Sequence, residues 1–243
     1  MYPGTLTRFL LLAGLAGSAM DVAALNLTTE DYPPFNLQTP DKKVAGISTE
    51  IVQEAMKRAG VTANVTLLPW ERALDTAKTQ ADACVYSAVR TPEREKLFKW
   101  VGPLVGDEVT LFAKADSTIK LSGPADAKKY KVGGYNGDAY GDIVEKQGIK
   151  VERVVSDVQN LPKLESGRID LWISGARSGL YKAAHEGNGI KLKAVLTIGD
   201  PKDSQMWLAC NPGVPDDTVK KLNDAVQAVK KDGTSDKIAK KYQ

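Results

Sequence analysis

The sequence predicts an α/β protein of two lobes, on three observations. Short apolar runs of strand length alternate with helix-like segments along most of the chain, the pattern of largely parallel sheets. A polar linker carrying Ser117, Ser122, Gly123 and Pro124 interrupts that alternation. The units on either side repeat one arrangement: a helix, a turn with Asp82 or Asp170, then a buried strand at 83–87 or 171–174.

In the first unit, Leu25–Thr29 reads as a strand that runs into the turn-rich Asp31-Tyr32-Pro33-Pro34-Phe35. Ser48 is expected to cap a helix whose apolar face is Ile51, Val52, Ala55 and Met56, with Gly60 ending it. A strand over 65–68, a helix over 71–78 and a buried strand over 83–87 follow, and a strand over 109–113 leads out.

The second unit alternates strands over 131–134, 151–155, 169–174 and 192–198 with helices over 140–147, 161–166 and 180–185. An apolar strand over 205–209 and the turn Pro212-Gly213-Val214-Pro215 then precede a long helix. Val219, Leu222, Val226 and Val229 give that helix one apolar stripe. With no sheet of its own, it is expected to pack back onto the first unit. The expected organisation is an export signal at 1–24, lobe one at 25–110, lobe two at 111–205, and a return to lobe one at 206–243. Two crossings between lobes, at 109–113 and 205–209, would form a hinge. In open α/β sheets ligands collect beyond the carboxyl ends of strands, so two lobes facing each other there make a cleft.

The export signal rests on Arg8 as the charged start, an apolar core over 9–19, and Val22-Ala23-Ala24 as a small-residue cleavage site. That core is short for a bilayer span, and no second stretch approaches one. No Cys follows it, so a lipid anchor is disfavoured, and the expected location is a periplasm. A net charge of +3, spread over the chain, argues against nucleic acid as a partner. The pair Cys84 and Cys210 suits a disulfide in an oxidising compartment, but both lie in apolar runs where reduced buried cysteine is equally at home.

The chemistry centres on Arg90-Thr91-Pro92-Glu93-Arg94-Glu95 after the buried run ending at Ser87. A guanidinium presents a planar fork that grips a carboxylate at two points. A strand end bringing Ser87, Thr91 and Arg94 together would hold a small anionic solute. The competing reading is two surface arginines paired with Glu93 and Glu95.

Several segments, in order, resemble the bacterial extracellular solute-binding proteins, family 3, the amino-acid-type receptors of ABC importers. They are Tyr32-Pro33-Pro34-Phe35, Gly46-Ile47-Ser48-Thr49-Glu50-Ile51, Ser87 through Arg94, Val132-Gly133-Gly134-Tyr135-Asn136-Gly137-Asp138, Gly167-Arg168-Ile169-Asp170 and Gly213-Val214-Pro215-Asp216-Asp217. The resemblance implies a periplasmic binding protein fold of type II, acting as a monomer without cofactor, metal or catalytic residue. Its partners would be a small carboxylate-bearing solute and a membrane permease. Carried over by position, Tyr32 covers one face of the solute, and Arg94 grips its carboxylate with Ser87 and Thr91 beside it. Lobe two adds Asp138, Ala139 and Tyr140, whose backbone N–H groups would bind an anion.

Departures from the family pattern matter too. The usual acid for an α-ammonium falls on Gly175, a frequent hydroxyl on Ala139, and the expected first-strand acid on Thr29. Asp138 would then have to hold the ammonium. Trp70, Trp172, Tyr32 and Tyr140 offer an aromatic box for a ring or quaternary amine, unless Trp172 is lobe core. His185, the sole histidine, sits in a polar helix and has no metal spacing with the cysteines. Gly133 to Gly137 lacks the Lys-Ser/Thr of a phosphate loop. Two alternatives share the scaffold: a cyclohexadienyl dehydratase using Asp138 or Glu71 as general acid, and a sensory binding module.

Overall fold

The computed structural model describes residues 24–242, so the expected export signal falls outside the described residues except for Ala24. The chain begins with β1 (Leu25–Thr29), the short pair β2 (Leu37–Gln38) and β3 (Val44–Ala45), and α1 (Ile47–Ala59). It continues through β4 (Ala63–Leu67), α2 (Trp70–Thr79), β5 (Ala83–Val89) and β6 (Lys99–Gly106). Next come β7 (Val109–Lys114), α3 (Pro124–Ala127), β8 (Val132–Tyr135), α4 (Ala139–Glu145), β9 (Val151–Val154) and α5 (Asn160–Glu165). The remainder is β10 (Leu171–Gly175), α6 (Ala176–His185), β11 (Leu192–Thr197), β12 (Gln205–Cys210), α7 (Asp216–Lys231) and α8 (Thr234–Lys240).

Two five-stranded sheets make the two lobes. Their orders are β4-β1-β5-β12-β6 and β11-β7-β10-β8-β9. In the first, β1 runs parallel to β4 and β5, and β12 is antiparallel to both its neighbours. In the second, β8 is parallel to β9 and β10, and β7 is antiparallel to β10 and β11. The chain passes between sheets through Asp107 and Glu108, after β6, and through residues 198–204, before β12.

β6 carries Gly102, Pro103 and Gly106, which hid it from a pattern search for strands. It survives because it lies at the sheet edge, where a missing N–H leaves no ladder bond unmade. Helix α1 does not use Ser48 as its cap. It starts at Ile47 after Gly46, and its first free N–H groups find the carbonyls of the preceding turn: Ile47 to Pro34 at 3.0 Å and Ser48 to Phe35 at 2.8 Å. Gly46 is required there, since its φ is 113° and a Cβ would stand 2.4 Å from the Phe35 carbonyl oxygen. The same contacts brace the turn that presents Tyr32.

The apolar stripe of α7 buries Leu222, Val226 and Val229 against lobe one, where α7 packs on α1 and β6. Each such side chain contributes ~1.5–3 kcal/mol relative to exposure. Cys84 and Cys210 stand opposite each other in the β5–β12 ladder and are joined as a disulfide. Trp172 is fully buried in lobe two, 6.0 Å from Phe112 between ring centroids, so it is core and not a wall of the cleft.

Candidate functional site

Lobe one delivers its share of the site through strand ends, as parallel sheets do. The register of β5 against β12 shifts at Tyr86–Ser87, and Ser87 adopts φ 61°. This bulge turns Ser87 out of the ladder and into the cleft. Its hydroxyl donates to Asn36 Oδ1, and Asn36 in turn donates to the Glu30 carbonyl oxygen at 2.6 Å, so the strand ends of β1 and β5 are laced together. Trp70 opens α2, and Tyr32 lies in the braced turn after β1.

The turn after β5 carries Arg94, with its N–H donating to the Thr91 carbonyl at 3.0 Å. Arg94 is 7% exposed, and its guanidinium does not pair with a glutamate. It donates to the Val89 carbonyl at 3.1 Å and to the Gly137 carbonyl of lobe two at 2.7 Å, and lies 5.5 Å from the Trp70 ring centroid. Burial lowers its pKa from the ordinary value, against the opposing pull of Asp138. Arg90 does what the competing surface reading assigns to both arginines: it binds Glu95 at 2.7 and 2.6 Å. Thr91 is half-buried and does not line the cavity; it holds up the turn.

Lobe two answers with the start of α4. Asp138 caps that helix, accepting from the Tyr140 and Gly141 N–H groups at 3.1 Å each. Those N–H groups, expected to bind a solute anion, are therefore occupied by Asp138. Burial pushes the Asp138 carboxyl up to about 6, against the two backbone hydrogen bonds. Tyr140 donates its hydroxyl to the Asp107 carbonyl at 2.8 Å, fastening α4 to the crossing segment.

Tyr32, Trp70, Ser87, Arg94, Asp138 and Tyr140 line one cavity together with Glu30, Val89, Tyr135, Ala139 and Met206. As folded it leaves about 20 Å³, enough for a water molecule or two. The lobes meet directly across it: Trp70 Nε1 and Arg94 Nη2 both donate to the Gly137 carbonyl, at 2.8 and 2.7 Å. At the rim, exposed Lys146 of lobe two reaches Glu93 of lobe one at 2.7 Å. A larger chamber of about 360 Å³ adjoins, sharing Glu30 and Trp70 as walls and adding Asp31, Asp157 and Lys182.

Glu30 and Lys182 are the charged residues of most consequence among those that sequence reasoning missed. Glu30 lies one position beyond Thr29, where the first-strand acid was expected. Thr29 is locked in the sheet by its hydroxyl on the Tyr86 carbonyl, and a one-residue step along a strand reverses the face. Lys182 is almost fully buried, with its ammonium 2.7 Å from Asp157 and 4.4 Å from the Tyr32 ring centroid. The signal was available: Ser178, Gly179 and Ala183 mark the buried stripe of α6, and Lys182 falls on it. Among the described residues, no group of three or more His, Cys, Asp or Glu could hold a metal ion, and no helix is long and apolar enough to cross a membrane.

Residues 26–129 match the profile of the bacterial extracellular solute-binding proteins, family 3. The L-cystine-binding protein TcyJ of Escherichia coli (strain K12) is 25% identical over 97% of this chain and 83% of its own length. The ABC transporter arginine-binding protein 1 of the same strain is 26% identical over 96% of both chains. Within residues 26–129 the chain is similar to the bacterial extracellular solute-binding proteins, family 3. Solved structures agree on the fold. An ancestral arginine-binding protein bound to arginine superposes with TM-score 0.75 over 90% of this chain and 97% of its own, at 24% identity. A histidine kinase sensor domain with similarity to periplasmic binding proteins reaches 0.81 over 90% and 96%, at 17% identity.

Proposed function

We propose that this solute-binding protein captures a small carboxylate-bearing solute, an amino acid or a close relative of one, between its lobes. It then passes the solute unaltered to the membrane permease of an ABC importer. The observation that carries this is the convergence of Arg94 from lobe one and Asp138 from lobe two on one aromatic-walled cavity. With the lobes apart, Arg94 is released from the Gly137 carbonyl and its fork is free for a carboxylate. Tyr32, Trp70 and Ser87 complete the lobe-one surface, Thr91 supports the Arg94 turn, and Tyr140 closes from lobe two. Contacts made only with the lobes together shift the population towards closure. The expected lobe bounds at 110/111 and 205/206 move by a few residues, since β7 from Val109 lies in the second sheet and β12 from Gln205 in the first; the protein would work as a periplasmic monomer exported by residues 1–24. Its L-cystine-binding and arginine-binding relatives support the solute class.

A thermal-shift screen of amino acids, betaines, aromatic acids and small dicarboxylates finds the solute, since a ligand of the folded state raises the melting temperature. Titration calorimetry of Arg94→Ala with the best hit should then show affinity reduced by about tenfold or more, a loss above ~1.4 kcal/mol. Unchanged affinity would remove Arg94 from the site. Prephenate or arogenate should pass through without product, and turnover would favour the dehydratase alternative.

A further inference from the structure

Arg90 follows the last residue of β5, and its contacts are not those of an ordinary surface arginine. Its Nε and Nη2 donate to the two carboxylate oxygens of Glu95, at 2.7 and 2.6 Å. Its Cζ lies over two indole rings, 5.6 Å from the ring centroid of Trp100 on β6 and 5.0 Å from that of Trp207 on β12. Trp207 is itself packed against backbone, since a Cβ on Gly102 would stand 3.2 Å from its ring. Bound along one edge and covered by aromatic faces, the Arg90 fork keeps one geometry although the pair is partly open to water.

This pair closes a ring around the turn that carries Arg94. Arg90 and Glu95 are joined side chain to side chain, and Arg94 lies between them in the chain. Inside the ring the Arg94 N–H donates to the Thr91 carbonyl, and just beyond it the Leu97 N–H donates to the Arg94 carbonyl, both at 3.0 Å. Trp100 Nε1 donates to the Glu95 carbonyl at 3.2 Å, so an indole that Arg90 covers also holds the backbone next to Arg94. The head of the Arg94 side chain rests on the residue before Arg90, with Nη1 donating to the Val89 carbonyl at 3.1 Å. Both ends of that side chain are thus fixed relative to the end of β5. A two-point grip on a carboxylate needs such placement, because two parallel hydrogen bonds tolerate little displacement.

Resting on the solute-binding function proposed above, we propose that Arg90 is a positioning residue for Arg94. Clasped to Glu95 and held over Trp100 and Trp207, it aims the Arg94 guanidinium at the solute carboxylate without touching the solute; Arg90 does not line the Arg94 cavity. Lysine cannot replace it, since an ammonium offers neither the planar fork nor the flat face.

Calorimetry with the twenty standard L-amino acids and L-cystine selects the tightest binder. It is then compared with its carboxamide in wild type, Arg90→Lys, Arg94→Ala and the double variant. Arg90→Lys should weaken the amino acid by about fivefold and the carboxamide by less than about twofold, because only the carboxylate uses the whole fork. In the Arg94→Ala background the same change should have no further effect, since a residue acting through Arg94 has nothing left to place. Glu95→Gln, which opens the clasp from its other side, should repeat the pattern. The melting temperature should move little in either variant, as the pair is partly exposed. Equal losses for the two compounds, an equal loss in both backgrounds, or no loss at all overturns the role of Arg90 while leaving the solute-binding function standing. Failure of all these amino acids to bind wild type overturns both.

Discussion

Lys182 in lobe two holds its ammonium 2.7 Å from Asp157 of the same lobe and 4.4 Å from the ring centroid of Tyr32 in lobe one. One buried cation thus serves an ion pair within a lobe and a cation–π contact between lobes. Burying both charges is repaid only while each has the other. Lys182→Met should therefore cost ~3–5 kcal/mol in denaturant unfolding, by leaving Asp157 enclosed and unpaired. Adding Asp157→Asn to that variant should recover part of the loss. Wild-type stability in Lys182→Met would show that the pair is not enclosed.

Stability should depend on pH through the cleft carboxyls. Glu30 titrates at about 8 in the folded protein against an ordinary 4.5, so between those values the folded state keeps a proton that the unfolded chain releases. Its contribution is complete below about 4.5 and is lost as pH rises towards about 8. Asp107 and Asp138, both raised to about 6 by burial, add to the loss at the acidic end of that range. Without solute, the melting temperature should fall from pH 6 to about 8, and Glu30→Gln should flatten that fall. A wild-type melting temperature that rises over the same interval would contradict this.

The disulfide closes a loop with its ends 126 residues apart in sequence. Constraining so long a loop in the unfolded chain makes its loss worth ~2–4 kcal/mol. Cys84→Ala with Cys210→Ala should lower stability by that amount, and thiol titration of the denatured, oxidised protein should find no free thiol. Two titratable thiols would show that the strands are unlinked.

Much of this architecture was legible because its signals are local. Apolar runs and helical stripes marked most of the strands and helices, and the stripe at Leu222, Val226 and Val229 is the face that α7 buries where it packs on α1 and β6. What escaped depended on position in three dimensions. Pro103 spoke against a strand in β6, and only its place at the sheet edge removes the objection. Ser48 looked like a cap, but carbonyls from a distant turn did that work. Tyr32, Trp70, Ser87, Arg94, Asp138 and Tyr140 share the cavity, whereas Thr91 stands behind it. Glu30 was hidden by a single-residue step at a strand end, and Lys182 by the ordinary expectation that lysines face water.

Small-angle scattering of the protein, before and after saturation with whichever compound most raises its melting temperature, examines the clamp itself. Two lobes hinged at Asp107–Glu108 and at 198–204 should contract on binding, giving a smaller radius of gyration and a shorter maximum dimension. Superimposable curves for the free and saturated protein would mean that the cleft does not open and close, and the clamp would have to be abandoned.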